Sequence, residues 1–285
     1  MIKIGTQTFG LSKELTADLA GTIRALHEIG FTCIEPLILF QDEQKKTAKH
    51  LWTYELLREA KPLLDSYGMT IPSAHVGVGI GFFTMPAKQV IENLIKIHKE
   101  FGIDTFILSG IFHSKMVAKK WGKLAKEVAA ALKPYGCTIA YHNHDDEFTK
   151  IKVDGKMISA MDYFLEIAGP DVMLQIDIGW AAIAGDECEI VKKYANRIME
   201  LHYKDFYQEY MSGNYSRAKR PDTAFAPIGD GGVKSKEILA LCQSIPHFNG
   251  AILIDQDKCT GNMLEALRTG YQNLMSYQKE ASHYE

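Results

Sequence analysis

Apolar residues along this chain follow two alternating rhythms. Short runs rich in Ile, Val, Leu and Phe give way to longer stretches in which apolar positions recur every three or four residues. Residues 2–8 read as a first strand. A helix over 16–29 follows, with Leu19, Ile23, Leu26 and Ile29 on one face and Gly30 as its stop. FTCIEPLIL is the second strand, ending at Glu35-Pro36. The same alternation predicts helices over 47–67, 86–101, 115–132, 157–168, 187–194, 235–244 and 262–279. It places strands over 69–75, 105–109, 138–142, 173–177, 198–203 and 251–255.

Strands separated by helices imply parallel pairing, because a parallel neighbour needs a crossover. Eight such units close into a (β/α)8 TIM barrel more readily than they form an open sheet. An open doubly wound sheet would favour a glycine-rich turn after the first strand, and TQTFGLS matches GxGxxG poorly. No linker or low-complexity tract interrupts the pattern, so residues 1–285 are expected to form one domain. The longest irregular stretch is 207–233, after the seventh strand; loops of that length are usually functional. It is the candidate lid or the interface of a homo-oligomer.

Composition narrows the function classes. The formal net charge is −3, which argues against nucleic-acid or anionic-membrane partners. The N-terminus lacks the signature of a secretory signal, and no stretch is apolar enough to span a bilayer. Cys33, Cys137, Cys188, Cys242 and Cys259 are scattered and form no CxxC pair, so reduced thiols and a cytoplasmic location are expected.

In such barrels the site lies where strands end and the following loops begin. The polar residues at those ends are Gln7, Glu35, His75, Ser109, His142, His144, Glu147, Asp177, His202, Lys204, Asp205, Asp255, Gln256 and Asp257. Strand interiors such as MLQI, AILI and TFIL read as apolar, with polarity at one end only. A lone strand-end carboxylate such as Asp205 or Asp257 can simply bond loop amides. The joint pattern is different: carboxylates crowded at one mouth raise one another's pKa unless a cation neutralises them. Mixed carboxylate and imidazole donors suit a borderline divalent ion. The shared strand-end position points to Asp177, His202 and Asp255 as ligands, and to Glu147 with them if the chain past its strand curls back. His142 and His144 share a face if their strand continues, and either could orient a ligand or contact a substrate hydroxyl. His142 could equally be a satisfied core histidine. PIGDGGV (227–233) could cradle an anion with its amides, but a tight turn is the favoured reading.

YHNHDDEF (141–148), QIDIGW (175–180), ELHYKDF (200–206), PIGDGGV and ILIDQD (252–257) together resemble the sugar phosphate isomerase/epimerase family of xylose isomerase-like barrels. IGTQTFG, CIE and SAH agree in the first half. The resemblance implies one divalent metal ion (Mn, Zn, Co, Fe or Mg) held by Glu147, Asp177, His202 and the acid of the last strand. It also implies a small sugar or polyol substrate. The family usually carries VEQD on the last strand, where this chain has Ile254-Asp255-Gln256-Asp257, one methylene shorter.

The chemistry expected is isomerisation or epimerisation of a ketose, keto-sugar or keto-inositol through an enediolate. The metal would act as Lewis acid, with Glu147 and Asp255 as base and acid. Dehydration or lyase-type elimination from a 3-keto-sugar or keto-inositol shares the same intermediate. Glu35, His75, His144, Trp180 and Lys204 are the candidate substrate contacts, with Trp180 as an apolar wall. A DNA-repair endonuclease on a related barrel and a non-catalytic sugar-binding protein are the competing classes. The charge balance argues against the first.

Overall fold

In the computed structural model, which describes residues 2–40, 52–81, 83–212 and 220–281, the short apolar runs become parallel strands. These are β1 (Lys3–Gln7), β2 (Cys33–Glu35), β3 (Leu37–Leu39), β4 (Ala74–Gly77), β5 (Thr105–Leu108), β6 (Thr138–His142), β7 (Val172–Asp177), β8 (Ile198–Tyr203) and β9 (Ala251–Ile254). They pair in the order β2-β1-β9-β8-β7-β6-β5-β4-β3. The two ends of this sheet, β2 and β3, are halves of one predicted strand. Pro36 separates them and has no N–H to donate to a ladder. β2 pairs with β1 and β3 with β4, so the sheet curls into a nearly closed (β/α)8 barrel.

Helices cover the outside because their apolar stripes need a surface to bury. Ile23, Leu26 and Ile29 of Leu19–Ile29 are buried, as are Val90, Leu94 and Ile97 of Ala87–Phe101. Register then fixes what meets at the mouth. Asp177 pairs with His202, Gln175 with both His142 and Glu200, and Gln7 with Glu35.

Several sequence expectations need correction. The first helix is two, Ser12–Ala17 and Leu19–Ile29, hinged at Asp18, whose carboxylate caps the second through Gly21 N. The predicted helix 47–67 is observed as Tyr54–Ser66, capped by Thr53 Oγ1; residues 47–51 lie outside the described residues. Residues 157–159 are not helical. They belong to an antiparallel hairpin, Lys150–Val153 with Lys156–Ser159, turned by Asp154 and Gly155 at positive φ. A helix that periodicity did not suggest, Ile178–Ala184, follows β7 directly and carries Trp180.

The barrel interior is not uniformly apolar. Gln175 Nε2 donates to Glu35 Oε1 (2.8 Å) and Glu200 Oε2 (2.6 Å). Ser73 reaches the same two carboxylates, and Asn249 donates to Glu200. Glu35, Ser73, Gln175 and Glu200 are all fully buried. Polarity thus runs down from the mouth, which a linear reading hides, because these residues come from strands far apart in sequence.

The glycine-rich segment after the seventh barrel strand does bind an anion, namely the chain's own Asp205. Its carboxylate accepts from Phe206, Gly229, Gly231 and Val233 backbone N–H groups at 2.8–3.1 Å. Asp205→Ala would leave four donors without this acceptor. A loss of about 3 kcal/mol in urea unfolding is expected, with Asp205→Asn intermediate. A loss within about 0.5 kcal/mol for Asp205→Ala would mean that the turn holds itself.

Candidate active site at the barrel mouth

Four side chains converge at the C-terminal ends of adjacent strands. His142 ends β6, Asp177 ends β7, His202 lies in β8 and Asp255 follows β9. One donor atom from each lies within 4.8 Å of the others, and all four residues are buried.

The lower polar network orients this cluster. Gln175 turns its amide N–H groups to Glu35 and Glu200, so its Oε1 faces His142 Nδ1 at 2.9 Å. That places the imidazole proton on Nδ1 and leaves Nε2 with a free lone pair, 3.9 Å from Asp177 Oδ2. Burial, then the neighbouring imidazoles of His202 and His75, hold His142 well below the usual histidine range, so it is neutral. Asp177 Oδ1 caps the following helix through Trp180 N (2.9 Å). Its Oδ2 is buried without a hydrogen-bond partner. Burial pushes this acid up to about 6.

His202 is bracketed by Glu35 Oε2 at 2.8 Å and Asp255 Oδ2 at 3.3 Å. Burial alone would lower its pKa, but the two carboxylates hold it well above the usual range. Burial opposes ionisation of Asp255 as well, yet Lys204 and His202 keep it ionised. Lys204 closes the cluster: its Nζ lies 2.9 Å from Asp255, 2.7 Å from Asp257 and 3.4 Å from Asp177. The ammonium also sits 5.2 Å from the Trp180 ring centroid.

Two imidazoles, one neutral (His142) and one that must release a proton to become a ligand (His202), and two carboxylates form a donor set suited to a borderline divalent cation. Asp177 Oδ2 is the observation that tests the fit. It is buried, makes no hydrogen bond and faces only the Lys204 ammonium at 3.4 Å, so a cation at this position would complete its partners. The residues present therefore fit a divalent ion.

Above the cluster opens a cavity of about 860 Å³. Of the expected substrate contacts, His75, His144, Trp180 and Lys204 line it, together with His142, Asp255 and Asp257. Glu35 does not; it sits beneath, bonded to Ser73, Gln175 and His202. Glu147 does not line it either. Its carboxylate accepts from Tyr141 Oη (2.9 Å), Phe112 N (3.3 Å) and His144 N (2.8 Å). Burial pushes Glu147 up to about 7. Arg220 also lines the cavity and stacks over Trp180 and Phe206 at 5.5 and 5.0 Å. Sequence reasoning missed it, because a single arginine in a long loop carries no periodic signal.

Known proteins share this architecture. The chain is 27% identical over 169 residues to an inosose dehydratase of Clostridium perfringens strain ATCC 13124, a match spanning about half of each chain (54% of both). It is 25% identical over 241 residues to an inosose dehydratase of Clostridium perfringens strain 13, covering 74% of this chain and 77% of that one. A sugar phosphate isomerase/epimerase from Parabacteroides distasonis superposes with a TM-score of 0.73 at 21% identity over 96% of both chains. The model of the xylose isomerase-like TIM barrel family matches residues 23–272, and the chain belongs to that family.

Proposed function

We propose that this protein removes the proton beside the carbonyl of a keto-sugar or keto-inositol and expels the substituent on the next carbon. That is a dehydratase- or lyase-type elimination. The observation that carries the reading is Lys204: a buried ammonium that lines the cavity beside the four-residue cluster. Epimerisation wants a base on each face of the substrate. The carboxylate expected opposite Asp255, Glu147, is instead engaged by Tyr141, Phe112 and His144 and does not line the cavity. An elimination needs a proton donor at the departing oxygen, and an ammonium supplies one. Both curated relatives are named for dehydration of an inosose, which supports the same reading.

The residues divide the work. His142, Asp177, His202 and Asp255 would hold the divalent ion, which would supply Lewis-acid polarisation of the substrate carbonyl. His144, whose ring lies 6.0 Å from that of Trp180, is placed to take the proton. Lys204, packed on the same indole, donates to the leaving oxygen and is held there by Asp257. Against burial, three carboxylates hold its pKa above the usual lysine range, and a cation on Asp177 and Asp255 would occupy two of them. Trp180 gives the sugar ring an apolar face. Glu35 and Gln175 orient His202 and His142 from below.

The test is turnover of metal-loaded protein in deuterated water, followed by NMR. A keto-inositol and a 3-keto-glycoside should each yield an unsaturated ketone plus water or the freed alcohol. Deuterium entering an intact carbon skeleton would instead establish isomerisation or epimerisation. No label and no product from either substrate would overturn the enzyme reading.

A further inference from the structure

The cavity is larger and more apolar than a keto-sugar requires. At about 860 Å³ it lies near the upper end of sites that enclose drug-sized ligands, roughly 300–1,000 Å³. A single polyol ring fills only part of it. Its polarity is divided by depth. His75, His142, Lys204 and Asp255 are at most 8% exposed and form the floor. Toward the opening the lining carries an apolar group, Ile80 69% and Phe83 82% exposed together with Leu39 and Ile111, beside the charged Arg220 and Lys258. Sugar hydroxyls gain nothing from such an apolar group, because they would lose water there without a replacement partner.

The mouth is also built rather than incidental. Ile80 and Phe83 pair across an antiparallel hairpin, Gly79–Ile80 with Phe83–Thr84. Gly81 N donates to Gly110 O at 2.6 Å, and Trp121 Nε1 donates to Gly81 O at 2.7 Å, which ties the hairpin to the next loop and to the helix Lys115–Leu132 after it. In that loop Ile111 has φ +58°, a conformation that a β-branched residue rarely adopts. Backbone strain of this kind persists only where its surroundings enforce it, and it concentrates at ligand-binding sites.

The geometry points to an aglycone subsite: the substrate is a keto-glycoside whose apolar, aromatic leaving group lies against Ile80, Phe83 and Ile111. This rests on the elimination proposed above and names its leaving group. The base takes the proton from the carbon between the ketone and the anomeric carbon. The C–H electrons form the C=C bond, the anomeric C–O bond breaks, and the departing oxygen takes a proton to give the free phenol or alcohol. No further reactant is needed.

Binding tests the subsite without turnover. Metal-loaded protein is titrated calorimetrically with phenyl β-glucoside and with methyl β-glucoside. The phenyl compound should bind about ten-fold tighter, the scale expected for burying one ring. Phe83→Ser and Ile80→Ser should each reduce that preference and leave methyl glucoside binding unchanged. Both side chains are exposed, so the variants should fold. Equal or undetectable binding of the two glucosides overturns the subsite, as does a preference that survives Phe83→Ser and Ile80→Ser combined in one protein. If Phe83→Ser instead dissolves a dimer in sedimentation and keeps the preference, a second copy covers the hairpin and the subsite is overturned. Preference for the phenyl compound without turnover of any 3-keto-glycoside leaves the subsite standing and removes the elimination.

Discussion

Alanine at Asp177 or His202 is expected to strip the divalent ion from the protein, and alanine at His142 to weaken its binding by more than the roughly 100-fold seen for loss of a residue that only orients a ligand, while Glu147→Gln retains it. The expectation follows from which donors meet. His142, Asp177, His202 and Asp255 place donor atoms within 4.8 Å of one another. Glu147 spends both carboxylate oxygens on Tyr141, Phe112 and His144. To become a ligand it would have to abandon three hydrogen bonds at a buried site, at a cost of about 1–3 kcal/mol for each donor left unmade. His142 has the opposite disposition, since Gln175 occupies Nδ1 and leaves Nε2 available. Elemental analysis of each variant after gel filtration decides between the two ligand sets. Metal lost from Glu147→Gln and kept in His142→Ala would restore Glu147 as the fourth ligand.

The alternation of strand and helix was legible because burial of one face imposes a period, and each barrel strand repeats the same demand. The strand-end positions of Asp177, His202 and Asp255 were legible for the same reason: barrel topology sends every strand end to one mouth. What depended on closure was not. Glu35 reads as one more strand-end acid, yet its role beneath His202 needs β2 to meet β8 across the barrel. Gln175 and Glu200 sit in otherwise apolar runs, and their pairing is set by a register that no linear spacing encodes. The Asp154-Gly155 turn was different. Its sequence is a strong hairpin signal, but the amphipathic stretch beginning at Met157 competes with it, and the helix starts only at Ala160, after the hairpin closes.

Lys204→Met should be the most disruptive single change at the mouth. The ammonium is only 3% exposed and lies within 3.4 Å of three carboxylates, Asp177, Asp255 and Asp257. Removing one member of a buried ion pair typically costs about 3–5 kcal/mol, because the partner charge is left unpaired. In metal-free protein that loss should appear directly in urea unfolding. Without the ammonium, burial holds these acids above their usual range. The folded state then prefers their protonated forms, so the deficit should be smallest in acid and grow as pH rises toward neutrality. A divalent ion should reverse the ranking. Lys204 competes with a cation for Asp177 and Asp255, so the variant should bind metal more tightly and gain more stability from it than the parent does. At a ligand concentration of 100 times Kd that gain is about 2.7 kcal/mol. Rescue of folding should not rescue catalysis: on the proposed role of Lys204 as leaving-group donor, kcat should remain about 10²–10⁴-fold down in the metal-saturated variant. Equal stability of parent and variant with the metal chelated would show that Lys204 does not balance the acids. Full activity in the rescued variant would remove it from the reaction.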